Sequence, residues 1–186
     1  MSSKKILIGI ILIILSFSTI FLTLLPNLYS DNTAGKINKE VEVQFNFLKK
    51  ETSPFVLMYF GFVGCHTICP PALNDINKIY SKLDKDKYSF YFINLTHNSS
   101  KNDVKLFIES FNKDFKGIYL NNKQIPNIVN ALNVRYLPSL SDKNEIEHSG
   151  FLHVLKKTDK GPYEQKFIYT TKPFDVDFII EDLNNL

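Results

Sequence analysis

The chain has 186 residues, 44% of them hydrophobic and 22% charged, a composition typical of a globular protein with one substantial core. Its formal net charge is +3, from 22 basic and 19 acidic residues. Two of the basic residues, Lys4 and Lys5, precede an apolar N-terminal segment, so the rest of the chain is close to neutral. This balance argues against a nucleic acid or a strongly anionic molecule as partner.

Residues 6–25 form an uncharged, apolar segment. As a helix rising about 1.5 Å per residue, it would be roughly 30 Å long, the thickness of the bilayer core. Residues 25–29 are too bulky for a signal-peptide cleavage site, so the segment predicts an uncleaved transmembrane helix. With Lys4 and Lys5 in the cytoplasm, residues 1–25 would be a stub and single-pass anchor in a bacterial inner membrane. The remaining chain would face the periplasm or extracytoplasmic side.

Residues 26–40 are polar and predict a linker, and residues 41–186 predict one domain. Period-two alternation or continuous apolar runs predict strands at 41–47, 55–63, 88–95, 118–120, 151–155 and 166–169. Helical spacing predicts helices with apolar faces at 76–83, 104–111, 125–132 and 176–183, with Ser100 or Asn102 as N-cap of the second. Residues 133–149 predict a loop with some strand. This order predicts an α/β domain with a mixed, thioredoxin-like sheet flanked by helices and preceded by the transmembrane helix.

The only two cysteines, Cys65 and Cys69, stand four positions apart, directly after the apolar strand that ends near Gly64. Pro70 and Pro71 follow, and prolines are well tolerated where a helix begins. We therefore expect the crossover helix to begin at the cysteines, and its N-terminus to favour the thiolate form of both.

Three chemistries are compatible with this cysteine pair. Residues four apart in a helical turn have Cα atoms about 6 Å apart, within disulfide range. The same spacing lets both sulfurs face one metal ion, and two thiolates with one imidazole suit three-coordinate Cu(I), whereas structural zinc normally takes four ligands. A copper site, an extracytoplasmic thiol-disulfide oxidoreductase or redox sensor, and a structural disulfide in a non-catalytic domain all stay open at this point.

The segment Tyr59-Phe60-Gly61-Phe62 is followed by Cys-x-x-x-Cys-Pro. This motif resembles that of the Sco/SenC family, whose members are membrane-tethered, copper-binding proteins with a thioredoxin fold. The family pattern continues with a histidine in an Asp-His-Ser-like segment before a strand and an Asp-x-x-Gly turn. Here Glu147-His148-Ser149 precedes the strand at 151–155, and Asp159-Lys160-Gly161 follows it. The resemblance covers residues 53–183.

The resemblance implies that Cys65, Cys69 and His148 bind copper, as Cu(I) or Cu(II), and that the two cysteines form a redox disulfide. It implies a metallochaperone more than an enzyme. The protein would deliver copper to the binuclear copper site of a respiratory cytochrome oxidase or reduce the cysteines of that site. Its partner would be the copper-bearing oxidase subunit or another copper or thiol protein.

The chain departs from the family pattern at two places near these residues. His66-Thr67 stand where the family often has Pro-Asp, and Leu95-Thr96-His97 stand where it often has an acidic Asp-Pro segment. We expect helical geometry to aim His66 away from the site and His97 to be solvated on a loop. His153, on a predicted strand, is expected to be packed rather than to bind metal.

Overall fold

The computed structural model of the protein describes residues 3–28, 35–138 and 146–186. The helices are α1 (Ser3–Leu28), α2 (Cys69–Tyr80), α3 (Lys101–Glu109), α4 (Gln124–Leu132) and α5 (Val176–Asn184). The strands are β1 (Lys36–Val43), β2 (Phe55–Gly61), β3 (Tyr88–Asn94), β4 (Lys116–Tyr119), β5 (Tyr136–Pro138), β6 (Ile146–His148), β7 (Leu152–Lys157) and β8 (Tyr163–Tyr169). Part of the predicted linker, 29–34, and part of the predicted loop, 139–145, lie outside the described residues.

The chain divides into two compact units, Met1–Asn32 and Thr33–Leu186. In the first, α1 exposes large apolar side chains along residues 6–17 and at Phe21. Over the described residues, none of the helices combines the length and apolar character that a membrane crossing requires. The transmembrane helix expected from residues 6–25 is therefore not confirmed.

The second unit contains a six-stranded mixed sheet in the order β1-β8-β7-β2-β3-β4, which confirms the predicted α/β architecture. The β2–β3 and β3–β4 pairs are parallel, and the other pairs are antiparallel. Strands β2 and β3 are buried along their whole length because apolar layers cover both faces of the sheet. Leu57 and Tyr59 pack with residues of α2 on one face, whereas Met58 and Phe60 pack with residues of α4 on the other.

Strand β1 begins earlier than its alternating sequence indicates. Lys36 and Ile37, in the segment expected to be linker, pair with Tyr169 and Ile168 of β8. The alternation at Phe45 and Phe47 does not continue the strand, because a single 3₁₀ turn covers Asn46–Leu48. The rings of Phe45 and Phe47 instead stack on each other with centroids 5.6 Å apart.

The segment expected to be a loop with some strand contains a small two-stranded sheet, β5–β6, in which Tyr136 pairs with His148. This pairing fixes the backbone of His148, and the N–H of Ser149 extends it by donating to the carbonyl of Arg135 at 3.0 Å. Of the two candidate caps of α3, Ser100 is confirmed, since Ser100 and Asp103 form a reciprocal capping box.

Candidate metal centre

The first cysteine lies in a tight connection between β2 and α2. Strand β2 ends at Gly61, and the N–H of Cys65 closes a turn by donating to the carbonyl of Phe62 at 3.2 Å. Gly64 has a φ of +96°, a left-handed conformation that glycine adopts at little cost. Cys65 thus belongs to the loop, and of the two cysteines at which the helix was expected to begin, Cys69 is the one that starts it.

The second cysteine is the first residue of α2, with Pro70 and Pro71 after it, as the sequence indicates. Its backbone N–H donates to the Sγ of Cys65 at 3.3 Å. A free N–H group at the start of the helix, which would otherwise lack an intrahelical partner, is therefore directed at the sulfur of the preceding cysteine.

His148, at the end of β6, brings an imidazole to the cysteine pair. Its Nε2 lies 3.5 Å from the Sγ of Cys69, and its ring stands edge-on to the rings of Tyr59 and Phe62, with centroids 6.1 and 6.2 Å away. Among the described residues, no hydrogen-bond partner faces its buried Nδ1. The ring is held by aromatic packing, with Nε2 directed at the thiols.

The ligand atoms of Cys65, Cys69 and His148 all lie within 4.8 Å of one another, and all three residues are buried. Both cysteines are free thiols. Two sulfurs and one nitrogen are a soft donor set, which suits Cu(I) and supplies one ligand fewer than structural zinc normally takes. The donor chemistry of the residues therefore fits a cuprous ion.

The pKa values of the two cysteines are shifted in opposite directions. The hydrogen bond with Cys69 lowers the pKa of Cys65 to about 3, and His148 adds to this effect against the cost of burial. The same interaction with Cys65, together with burial, raises the pKa of Cys69. The expectation that the helix N-terminus would favour both thiolates is therefore wrong for Cys69, because its closeness to a negative Cys65 and its burial outweigh the helix dipole.

Two further residues shape this pocket: Gly61, which the sequence analysis named only within the family motif, and Asn94, which it did not name. A Cβ on Gly61 would lie 2.8 Å from the Sγ of Cys69 and 2.8 Å from Phe92, so a side chain there would displace the sulfur. Asn94, fully buried at the end of β3, accepts from the N–H of Val63 at 2.9 Å and donates to the carbonyl of Thr96. A buried amide ending an apolar strand was the available signal for Asn94.

The other three histidines lie outside this cluster. His66 and His97 are exposed. His153 is buried on β7, where its Nδ1 is 2.6 Å from Oε1 of Gln165 and its ring contacts Phe60. His153 is thus a packed residue, as its position in the strand pattern predicts.

Comparisons with known proteins agree with this architecture. A family model described as SCO1/SenC matches residues 49–185. An SCO2-like protein of Rickettsia conorii is 27% identical over 160 residues, which cover 79% of this chain and 76% of the relative.

Two solved structures share the fold. Arabidopsis thaliana ScoI with copper bound has a TM-score of 0.63 at 18% identity, and the alignment covers 80% of this chain and 96% of the Arabidopsis chain. BsSco, described as having a disulfide switch and as a member of the Sco family of cytochrome c oxidase assembly proteins, has a TM-score of 0.54 at 18% identity and covers 80% of this chain and 95% of its own.

A mixed sheet whose first crossover helix begins at one thiol of a buried Cys/Cys/His cluster defines a thioredoxin-like protein with a thiol-based site. The match over residues 49–185 makes the assignment specific. The chain belongs to the SCO1/SenC family.

Proposed function

We propose that this protein binds one copper ion through Cys65, Cys69 and His148 and serves as a copper-handling assembly factor. The observation that carries the proposal is the meeting of three soft donor atoms within 4.8 Å in a buried pocket. Burial of the three residues limits the access of solvent and of dissolved oxygen, which oxidises Cu(I). Because each ligand binds in its deprotonated form, copper affinity is expected to fall as the pH falls.

The cargo's destination follows from the family. BsSco belongs to a family of cytochrome c oxidase assembly proteins, and the Arabidopsis relative was solved with copper bound. By analogy, the client of this protein is the copper-bearing subunit of a respiratory oxidase. The protein either delivers copper to that subunit or reduces its cysteines. Copper is here the substrate that is handed on, whether it is held as Cu(I) or Cu(II).

Metal titration of the full-length, reduced protein tests the copper proposal. We expect one Cu(I) per chain in competition with a chromophoric Cu(I) chelator, and an affinity at least about tenfold lower for His148→Ala. His97→Ala is the matched control, because His97 is exposed and should leave the affinity unchanged. Binding of less than one equivalent of Cu(I) per chain would refute the proposal. So would a Cu(I) affinity that is the same in His148→Ala as in the wild type.

A second function, thiol-disulfide exchange, is favoured by the unequal thiols. A lowered pKa makes Cys65 the nucleophile, and Cys69 lies close enough to resolve a mixed disulfide. Two electrons would pass from the cysteine pair, which becomes a disulfide, to a client disulfide, which becomes two thiols. Reduction of a protein disulfide at a rate unaffected by His148→Ala would favour this function over copper handling.

Attachment to a membrane through the N-terminal segment is a further part of the proposal. It is supported by the uncharged residues 6–25, by Lys4 and Lys5 before them, and by the exposed apolar side chains of α1. Alkaline extraction of isolated membranes tests it, since an integral protein stays in the pellet. Release into the supernatant would show that this segment is not an anchor.

A further inference from the structure

Lys172, in the connection between β8 and α5, reaches the segment that carries His148. Its Nζ donates to the carbonyl of Ser149, the residue after His148, at 2.6 Å. A Cβ on Gly150 would lie 2.5 Å from this Nζ and 3.2 Å from the Oη of Tyr59. The ammonium group therefore occupies the space beside Gly150, near the tyrosine that packs on the His148 ring.

Lys172 places a positive charge on the side of the site formed by Gly150 and Tyr59. Partial burial lowers the pKa of Lys172, and its electrostatic interaction with the Cys69 side chain opposes that change. An ammonium group in this position stabilises negative charge at the site, although the lysine side chain is partly solvated and the interaction is screened.

The net charge of the loaded site depends on the ion. Two thiolates and a neutral imidazole give a net charge of −1 with a monovalent ion such as Cu(I), and zero with a divalent ion. A fixed positive charge nearby stabilises the first state relative to the second. Both ions bind to the same metal-free protein, so the protonation of the free thiols cancels from the comparison.

We propose that Lys172 is a specificity-determining residue that favours Cu(I) over soft divalent ions at the Cys65/Cys69/His148 site. This inference rests on the proposed copper function. Lys172 does not coordinate the ion, and its effect is electrostatic. Its hydrogen bond to Ser149 also positions the segment that carries His148. Loss of that bond would lower the affinity for monovalent and divalent ions by the same factor.

The test is the ratio of Cu(I) to Cd(II) affinity in the full-length, reduced protein. Cd(II) is a redox-inert, thiophilic divalent probe, so it leaves the thiols reduced. We expect Lys172→Met to lower the ratio about fivefold, and Lys172→Arg, which keeps the charge, to restore it. Lys82→Met is the matched control, because Lys82 is exposed and lies beyond the far end of α2 from Cys69.

The outcomes separate this inference from the function beneath it. A wild-type protein that binds Cd(II) but not Cu(I) would refute both the copper function and the selectivity. If the wild type binds Cu(I) and Lys172→Met leaves the ratio unchanged, only the role of Lys172 fails. If Lys172→Met lowered the affinities for Cu(I) and Cd(II) by the same factor, Lys172 would have only a structural role, and the selectivity proposal would fail. Lys172→Gln provides a second neutral variant if the methionine variant does not fold.

Discussion

The Sγ of Cys69 lies 3.5 Å from Nε2 of His148, although 79 positions separate the two residues in sequence. Two local structures produce this contact: the start of α2 fixes the sulfur, and the β5–β6 pairing fixes the backbone of the imidazole. The sulfur also lies directly against Gly61, the last residue of β2. Its position therefore depends on what stands at residue 61.

Gly61→Ala is expected to lower Cu(I) affinity by at least about tenfold. The added Cβ would lie 2.8 Å from the Sγ of Cys69, so the sulfur has to move away from its partners. Chelator competition with Cu(I) measures the loss. Gly161→Ala is the control, because Gly161 has open space around it and a φ of +103° in the β7–β8 turn. It should lower the free energy of unfolding by about 1 kcal/mol and leave copper affinity unchanged. Equal copper affinity in both variants would contradict this account of Gly61.

Asn94→Ala is expected to lower both stability and metal affinity. It leaves the N–H of Val63 and the carbonyl of Thr96 without their side-chain partner, at a fully buried position. Unpaired buried groups of this kind cost about 2 kcal/mol, and the loop leading to Cys65 loses an anchor. Urea unfolding and Cd(II) titration measure the two effects. Asn98→Ala, at an exposed position, should change neither, and an unaltered Asn94→Ala protein would show that the loop holds without the amide.

Periodicity in the sequence was sufficient to predict the sheet and most helices, because burial on one or both faces leaves a regular apolar pattern. It was not sufficient around Cys65, where a left-handed Gly64 and one backbone turn keep the residue out of the helix. The helix dipole alone led to the expectation that both cysteines would favour the thiolate form. In the structure, the pKa of Cys65 is lowered and that of Cys69 is raised by the interaction between the two side chains and by burial of Cys69, which a linear pattern does not report.

The resemblance to a family singled out His148, whereas Lys172 left no signal. Its contact with Ser149 joins residues 23 positions apart through a side chain that, in the sequence, is one of many lysines. The sequence likewise placed Tyr59 only in the family motif and in the strand predicted over 55–63. Its ring is indeed fully buried, but its hydroxyl borders the site.

Two tyrosine-to-phenylalanine variants are expected to differ in their effect on stability. Within the described residues, the buried hydroxyl of Tyr59 has no hydrogen-bond partner, so Tyr59→Phe should leave the free energy of unfolding unchanged or raise it by about 1 kcal/mol. The hydroxyl of Tyr91 donates to the buried carboxylate of Glu51 at 2.6 Å, so Tyr91→Phe should lower it by about 2 kcal/mol. Urea unfolding of both variants is the measurement. A large loss for Tyr59→Phe would show that its hydroxyl is bonded in solution, with the Cys69 sulfur as a candidate partner.

Acid is expected to destabilise the domain through His153. Burial lowers the pKa of this imidazole to about 4, against a smaller opposing effect of the Gln165 hydrogen bond. Between the ordinary value of 6.5 and about 4, the unfolded chain binds a proton that the folded chain does not. Stability from neutral His153 is therefore complete above pH 6.5 and declines as the pH falls through this window, by up to about 1.4 kcal/mol per pH unit.

Urea unfolding at a series of pH values between 7 and 4 measures this slope, with His153→Gln expected to reduce it. Glutamine retains an N–H donor for Gln165 but has no group that titrates in this range. His66→Gln is the matched control, since it makes the same substitution at an exposed position and should preserve the wild-type slope. If His153→Gln and wild type lost stability in parallel, the acid sensitivity would have to arise from carboxylates such as Glu51.

The pKa of Glu51 is lowered to about 2 despite its burial, because Lys116 and Tyr91 hydrogen-bond to the charged form. The contribution of Glu51 would disappear only as the pH falls from 4.5 towards 2, so the pH at which stability begins to decline distinguishes the two groups.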